Sequence, residues 1–288
     1  MECGRCRCVA LDATFGGATF GAPILIKIAT QLVLWRLLLS PPLDGPDNMA
    51  LDEALMARAR RTGETVLRTY TWSVPTLSLG RNQRARGEYD DHALADAGVA
   101  VVRRPTGGRA LLHHREITYS VTAPVGPEES VTRGYARINA LVMNALTALG
   151  VPVRAALPTG KASRPTALPC FAEPAAGELA YEGRKLVGSA QWREDGALLQ
   201  HGSILIDDDQ ALIPALMKVP SPATLPPATL RGILGRAPSA GEMHDALARA
   251  VQALPGATTT PLDLEPDTRR DAEAFADRYR AAAWTWRR

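Results

Sequence analysis

Long hydrophobic runs, cysteines and lysines are all scarce in this chain of 288 residues, and each scarcity excludes something. The most apolar stretch, Ile24 to Leu39, is interrupted by Lys27 and Arg36, and the run between them falls far short of the roughly 20 residues that a spanning helix requires. No small-residue cleavage site follows it, so neither a membrane anchor nor a secretory signal is expected. The four cysteines are Cys3, Cys6, Cys8 and Cys170, a distribution unlike the disulfide framework of a small secreted domain, so a reducing cytoplasm is the expected compartment. The Cys3, Cys6 and Cys8 cluster has no fourth cysteine or histidine ligand nearby, and no metal is expected there.

Charge of one sign is also missing. A net charge of +3, with the 33 basic residues spread along the chain, does not point to nucleic acid. Of those 33, four are lysines, at positions 27, 161, 185 and 218, which makes a lysine in a defined local context informative. Absent too are the G-x-S-x-G elbow, the Walker A loop and the Rossmann G-x-G-x-x-G. What remains is ample for a core: 46% of residues are hydrophobic and 22% charged, which suits one large domain, or one with a small appendage.

Residues 1–30 carry no clear pattern and are expected to form a poorly ordered leader. Residues 31–219 read as the main domain, with a first strand inside Gln31 to Leu38. Asp47 and Asn48 are positioned to cap a helix from Met49. Strand-like runs follow at Thr65 to Tyr70 and Thr76 to Leu79, then a short helix around Glu88 to Ala97. Val99 to Arg104, Arg109 to His113 and Ile117 to Thr122 read as three strands in an antiparallel meander. Ile138, Leu141, Val142, Ala145, Leu146 and Leu149 recur at helical spacing. Val151 to Pro169 is irregular and proline-bearing, in the manner of either a disordered segment or a functional loop. Glu178 to Tyr181, Lys185 to Trp192 and Ala197 to Ile206 read as strands joined by glycine turns. A proline-rich stretch, Pro220 to Pro227, introduces residues 220–288, expected as a C-terminal helical segment with helices at Ser239 to Leu254 and Asp267 to Ala282. The fold class is therefore α+β, with mixed, mostly antiparallel sheets flanked by helices.

Three places could carry chemistry. In Arg103 to Arg109, Gly107 and Gly108 free the backbone for a close approach to a ligand, although an ordinary glycine turn has the same composition. His113 and His114 are adjacent on a strand, so at most one of them faces a site. Cys170 follows the irregular loop; a nucleophilic thiol there needs its pKa drawn down by a nearby cation, and Lys185 is the candidate, its bland alternative being a solvated turn lysine.

The order and wording of five blocks resemble the biotin/lipoate protein ligase and transferase superfamily. These blocks are PDNMALDEAL (Pro46 to Leu55), PTLSLGRNQ (Pro75 to Gln83), RRPTGGRALLHHREITYS (Arg103 to Ser120), EGRKLVGSAQ (Glu182 to Gln191) and LQHGSILI (Leu199 to Ile206). Within it, CFAEP at Cys170 to Pro174 resembles the cysteine-dependent octanoyltransferases. The resemblance implies a biotin/lipoate ligase-like catalytic domain. It also implies transfer of an octanoyl group from octanoyl-acyl carrier protein to a lysine of a lipoyl domain, such as the glycine cleavage system H protein, through a thioester on Cys170. Neither a cofactor nor ATP is needed on that route, because thioester exchange is nearly isoenergetic. Lys185 would lower the Cys170 pKa or hold the carbonyl oxygen. Arg81, Arg104, Thr106, Gly107, Gly108, His113, Gly188, Ser189, Ala190 and Gln191 lie in the matching blocks as substrate-binding candidates. His114 stands where the family commonly has an acidic or amide residue, so no role attaches to it. An ATP-dependent lipoate ligase and a non-catalytic lipoyl-domain or acyl-carrier binding protein are the alternatives, and a related cysteine-dependent amidotransferase leaves the donor and acceptor open. A monomer is expected.

Overall fold

The computed structural model describes residues 33–156, 171, 177–219 and 225–288. The expected leader, Cys170, and most of the irregular loop before it lie outside the described residues.

Strand β1 (Val33–Leu39) leads into helix α1 (Gly45–Thr62). This helix starts one turn earlier than the sequence suggests: Asp44 is its cap, with its side chain accepting from Asp47 N at 2.8 Å, and Pro46 occupies the first turn, where a missing N–H costs nothing. Asn48 is therefore inside the helix, where it bonds buried partners. After β2 (Thr65–Tyr70) come β3 (Thr76–Leu79), α2 (Asp91–Asp96), β4 (Ala100–Arg103), β5 (Leu111–His113) and β6 (Glu116–Pro124). Helix α3 (Val131–Ala148) carries the periodic apolar face read from the sequence and is capped by Ser130. The two-residue β7 (Arg154–Ala155) is followed by β8 (Leu179–Tyr181), β9 (Arg184–Glu194) and β10 (Ala197–Leu205). A 3-10 helix (Gln210–Leu216) precedes α4 (Leu230–Leu234), α5 (Ala240–Gln252), β11 (Ala257–Pro261), α6 (Pro266–Arg280) and α7 (Ala282–Thr285).

Among the described residues, eight strands form one sheet in the order β11-β1-β2-β6-β10-β9-β8-β7, parallel across β11-β1-β2 and antiparallel from β2 onward. The second sheet is β4-β3-β5. Here the expected meander is corrected. β4 and β5 do not pair with each other: β3 lies between them, parallel to β4 and antiparallel to β5, and β6 leaves for the large sheet. Pro105 to Gly108 is thus no hairpin turn. It crosses the end of β3, and that crossing brings it against Gly80.

One face of the large sheet is covered by α3 and α5, with Ile138, Leu146, Leu247 and Val251 packed on Val121 and Leu198. On the other face α1 lays Met56 and Ala59 on Ala197 and Leu199, and Met49 and Ala50 on Tyr70 at the end of β2, on Trp72 just beyond it and on Val102 of the small sheet. Helix α6 braces α1 from outside through Arg58 to Glu265 and Glu53 to Tyr279. The cavity described next lies where α1 and the two sheets meet. No helix among the described residues is long and apolar enough to cross a membrane.

Candidate active site

The cavity encloses about 490 Å³, its open mouth included, and its walls come from distant parts of the chain. Gly188, Ser189 and Ala190 of β9 and His201 to Ser203 of β10 form the floor. Met49, Tyr70, Trp72 and Leu111 supply apolar wall, and Arg104, Gly108, His113 and Glu178 close the remaining sides.

Two buried carboxylates organise the walls. Asp52, inaccessible on α1, accepts from Arg68 Nη1 (2.8 Å) and Ser120 Oγ (2.8 Å) on one oxygen, and from Tyr70 Oη (2.9 Å) and His201 Nδ1 (3.0 Å) on the other. Burial alone would raise its pKa, but the Arg68 charge and the bonds from His201 and Ser120 hold the carboxyl below the usual range. An ionised carboxylate can only accept, so Nδ1 of His201 is the donor, and Nε2 meets Thr106 Oγ1 at 2.6 Å. The chain Asp52, His201, Thr106 thereby ties α1 and β10 to the glycine loop.

Glu116 is the second organiser. It takes Thr118 Oγ1 (2.6 Å) and His113 Nδ1 (3.2 Å) on one oxygen and Ser203 Oγ (2.7 Å) on the other. His113 Nε2 then meets Ser78 Oγ at 2.9 Å, and the imidazole stacks on Trp72 with centroids 3.9 Å apart. Burial pushes the His113 pKa down against the pull of Glu116, keeping the ring neutral. Ser78 Oγ in turn accepts from Arg104 Nη1, whose guanidinium also donates to the carbonyls of Ser78, Gly107 and Arg109. Both imidazoles therefore end on the segment Arg104 to Arg109, from opposite sides. A Cβ on Gly80 would collide with the carbonyl oxygen of Gly108, so the close crossing depends on glycine at position 80.

Lys185 is no solvated turn residue. Its side chain is 2% exposed, and Nζ donates to Glu178 Oε1 at 2.7 Å and stands 4.8 Å from the centre of the Phe171 ring. Phe171 packs with Leu111 and Leu205, and its ring fills the space a Cβ on Gly188 would need. Cys170, the expected nucleophile, is one peptide bond from Phe171 and lies outside the described residues.

The structure brings Arg104, Gly108, His113, Gly188, Ser189 and Ala190 together on the cavity wall. Thr106 and Gly107 stand behind it, Thr106 through His201 and Gly107 through Arg104. Arg81 does not line the cavity; its guanidinium lies 5.0 Å over Trp192. Gln191 turns to the opposite face of the sheet, where it bonds Gln200 and Arg193. His113 is buried and His114 exposed, its ring 3.5 Å from Asp209. Sequence reasoning did not single out Asp52, Arg68, Trp72, Glu178 or His201. Asp52 and His201 lie inside the PDNMALDEAL and LQHGSILI blocks, which is the signal that could have marked them. No cluster of three metal-binding side chains occurs among the described residues.

Residues 44–252 match the lipoyl protein ligase A/B catalytic domain family. The chain is 39% identical over 271 residues to octanoyltransferase LipM of Kyrpidia tusciae, covering 88% of this chain and 99% of that one. It is 40% identical over 275 residues to octanoyltransferase LipM of Symbiobacterium thermophilum, covering 88% and 98%. Among solved structures, a lipoate-protein ligase A bound with ATP superposes with a TM-score of 0.74 at 23% identity, over 88% of this chain and 99% of that one. A chain of the lipoylation system of Thermoplasma acidophilum, a bi-partite lipoate protein ligase and its E2 lipoyl domain, gives 0.71 at 22%, over 88% and 96%. At such identities these two likenesses concern the fold.

Proposed function

The chain belongs to the lipoyl protein ligase A/B catalytic domain family, with relatives named octanoyltransferase LipM along most of its length, and from that premise we propose that it transfers an octanoyl group from octanoyl-acyl carrier protein to a lysine of a lipoyl domain. The acceptor we favour is the glycine cleavage system H protein, and the compartment the cytoplasm, where a free thiol stays reduced.

In the first step the Cys170 thiolate attacks the carbonyl carbon of the donor thioester. The tetrahedral intermediate collapses by expelling the carrier thiolate, which takes up the proton that Cys170 gave away. In the second step the neutral acceptor amine attacks the enzyme thioester; the C–N bond forms, the C–S bond breaks, the nitrogen loses a proton, and Cys170 returns as the thiolate. Amide formation makes this step downhill without ATP. Lys185 holds negative charge near the reacting sulfur or oxygen, and Glu178 fixes its ammonium. The apolar wall of Met49, Trp72 and Leu111 receives the acyl tail, each buried methylene contributing about 0.8 kcal/mol.

The observation that carries this reading is the buried Lys185 ammonium, paired with a cavity-lining carboxylate and set against Phe171, the chain neighbour of Cys170. The test is to mix the protein with octanoyl-acyl carrier protein, without ATP, and record intact mass. The expected result is one octanoyl adduct on the Cys170 peptide, absent in Cys170→Ala and discharged by apo H protein. Lys185→Ala is expected to slow adduct formation by about 10²-fold. If acylation of the acceptor begins only when ATP and free octanoate or lipoate are added, the protein is a ligase and the thioester route is wrong; if complexes form without turnover, it is a binding protein.

A further inference from the structure

Several surface arginines are paired with carboxylates: Arg61 with Asp271, Arg115 with Asp209 and Arg236 with Glu242. A cluster without such pairs gathers around the turn that follows β3. The turn after β3 carries Arg81, Arg84 and Arg86, with Glu88 as the lone acid before Tyr89. Arg287 and Arg288 lie against this turn, because Ala85 N and Arg86 N donate to Arg288 O (3.1 and 2.7 Å) and Arg287 Nη2 donates to Arg81 O (2.6 Å). Arg84, Arg86, Arg287 and Arg288 are exposed. Among the described residues none of the five has a side-chain carboxylate as ion-pair partner. Partial burial and then the neighbouring charges of Arg81, Arg288 and Arg278 depress the Arg287 pKa, as like charges close together do.

This cluster is tied to the cavity. Arg81 N donates to Thr106 O at 2.7 Å, Gly80 abuts Gly108 of the cavity wall, and the Arg81 guanidinium covers Trp192, two residues beyond Ala190.

Such a crowd of like charges destabilises the free protein slightly, and opposite charge from a partner relieves it. The five arginines lie on two segments and four of them are exposed, which suits a protein face bearing several carboxylates better than a single small anion. Two proteins visit the site in the proposed reaction, and their reach differs. An acceptor lysine has a four-carbon stem, so its domain must sit directly over the mouth. A carrier presents its thioester on a much longer pantetheine arm, so its body seats beside the mouth, where the arginines are. Resting on the function proposed above, we infer that Arg81, Arg84, Arg86, Arg287 and Arg288 form the docking surface for an acidic face of the acyl-donor protein.

The test compares wild type with Arg84→Glu/Arg86→Glu and Arg84→Ala/Arg86→Ala, both sites being exposed and outside the cavity. Donors are octanoyl-acyl carrier protein, octanoyl-pantetheine and octanoyl-phosphopantetheine. The expected result is a KM for the carrier raised at least tenfold in the Glu pair and less in the Ala pair. KM and kcat for both small donors and KM for the acceptor stay within twofold, and the rise of the carrier KM with added NaCl in wild type flattens in the variants. A carrier KM within twofold of wild type overturns the inference, as does a rise confined to the acceptor KM. A parallel rise for octanoyl-phosphopantetheine assigns the arginines to the phosphate of the arm instead and overturns the protein-face assignment. If wild type accepts octanoyl-pantetheine but not the carrier, the docking surface fails while thioester transfer stands; if it accepts no thioester, the function proposed above fails and the inference with it. Should the Glu pair lower Tm, the Ala pair decides.

Discussion

An imidazole locked between a carboxylate and a hydroxyl is the recurring unit of this cavity. His113 sits between Glu116 and Ser78, and His201 between Asp52 and Thr106. In each case the carboxylate sets the tautomer, and the hydroxyl end carries the constraint to the glycine loop. The His113 case has a consequence for stability. Its folded pKa is depressed by burial, so the unfolded chain binds the proton more readily; the stabilisation is complete above the unfolded value of 6.5 and is lost as pH falls below it. Half-buried His244 is shifted the same way by burial, against Asp245. We expect Tm to fall between pH 7 and pH 5, and the fall to be shallower in His113→Gln/His244→Gln. A slope identical to wild type in that double variant would show that neither ring titrates as described.

At the scale of elements, the crossing of Pro105 to Gly108 over the end of β3 is the decisive local arrangement. It exists because β4 returns parallel to β3 on one edge and β5 antiparallel on the other, which obliges the connection to pass over β3 at Gly80. Gly80→Ala puts a methyl against the Gly108 carbonyl, so backbone must shift on one side or the other. The expected outcome is a Tm lower by a few degrees and a kcat reduced by roughly 10²-fold, since small displacements of positioning groups are costly. Wild-type kcat would mean that the loop's placement is irrelevant to turnover.

For the whole molecule, the C-terminal stretch is more than a cover. β11 extends the large sheet beyond β1, α5 packs with α3 on one face, and α6 with α7 closes α1 on the other, where Arg103 Nε donates to Thr285 O at 2.8 Å. Deleting residues 257–288 exposes the edge of β1 and strands buried groups such as Glu53 and Arg58, which bond Tyr279 and Glu265. Such a truncation is expected to lose cooperative unfolding by circular dichroism and to aggregate on size exclusion. A monomeric fragment with wild-type Tm would establish that the first part folds independently.

Much of the local structure was legible in the chain. The turns at Glu182-Gly183 and Asp195-Gly196 adopt the left-handed φ values that such pairs favour, 48° and 75° then 49° and 75°, so the β8-β9 and β9-β10 hairpins could be read directly. Ser239 and Glu242 have the Ser-x-x-Glu spacing of a helix-capping box; Ser239 accepts from Glu242 N as that spacing implies, while the Glu242 side chain turns away to Arg236. The start of α1 was not legible, because Asp44, Asp47 and Asn48 are all acceptable caps and only packing against β2 and the small sheet selects among them. The five motif blocks also placed the chain in its family and gathered most of the residues that line the cavity. Strand pairing, the burial of Lys185 and the joining of Asp52 to His201, 149 positions apart, had no local trace. The physical reason is the range of the forces concerned. Caps, turns and apolar periodicity are settled within a few residues by backbone sterics and neighbouring hydrogen bonds, so the sequence alone determined them. Which strand edge a segment joins, and which charged groups leave water to face one another, depends on what the rest of the chain buries there, and only the tertiary structure decided it.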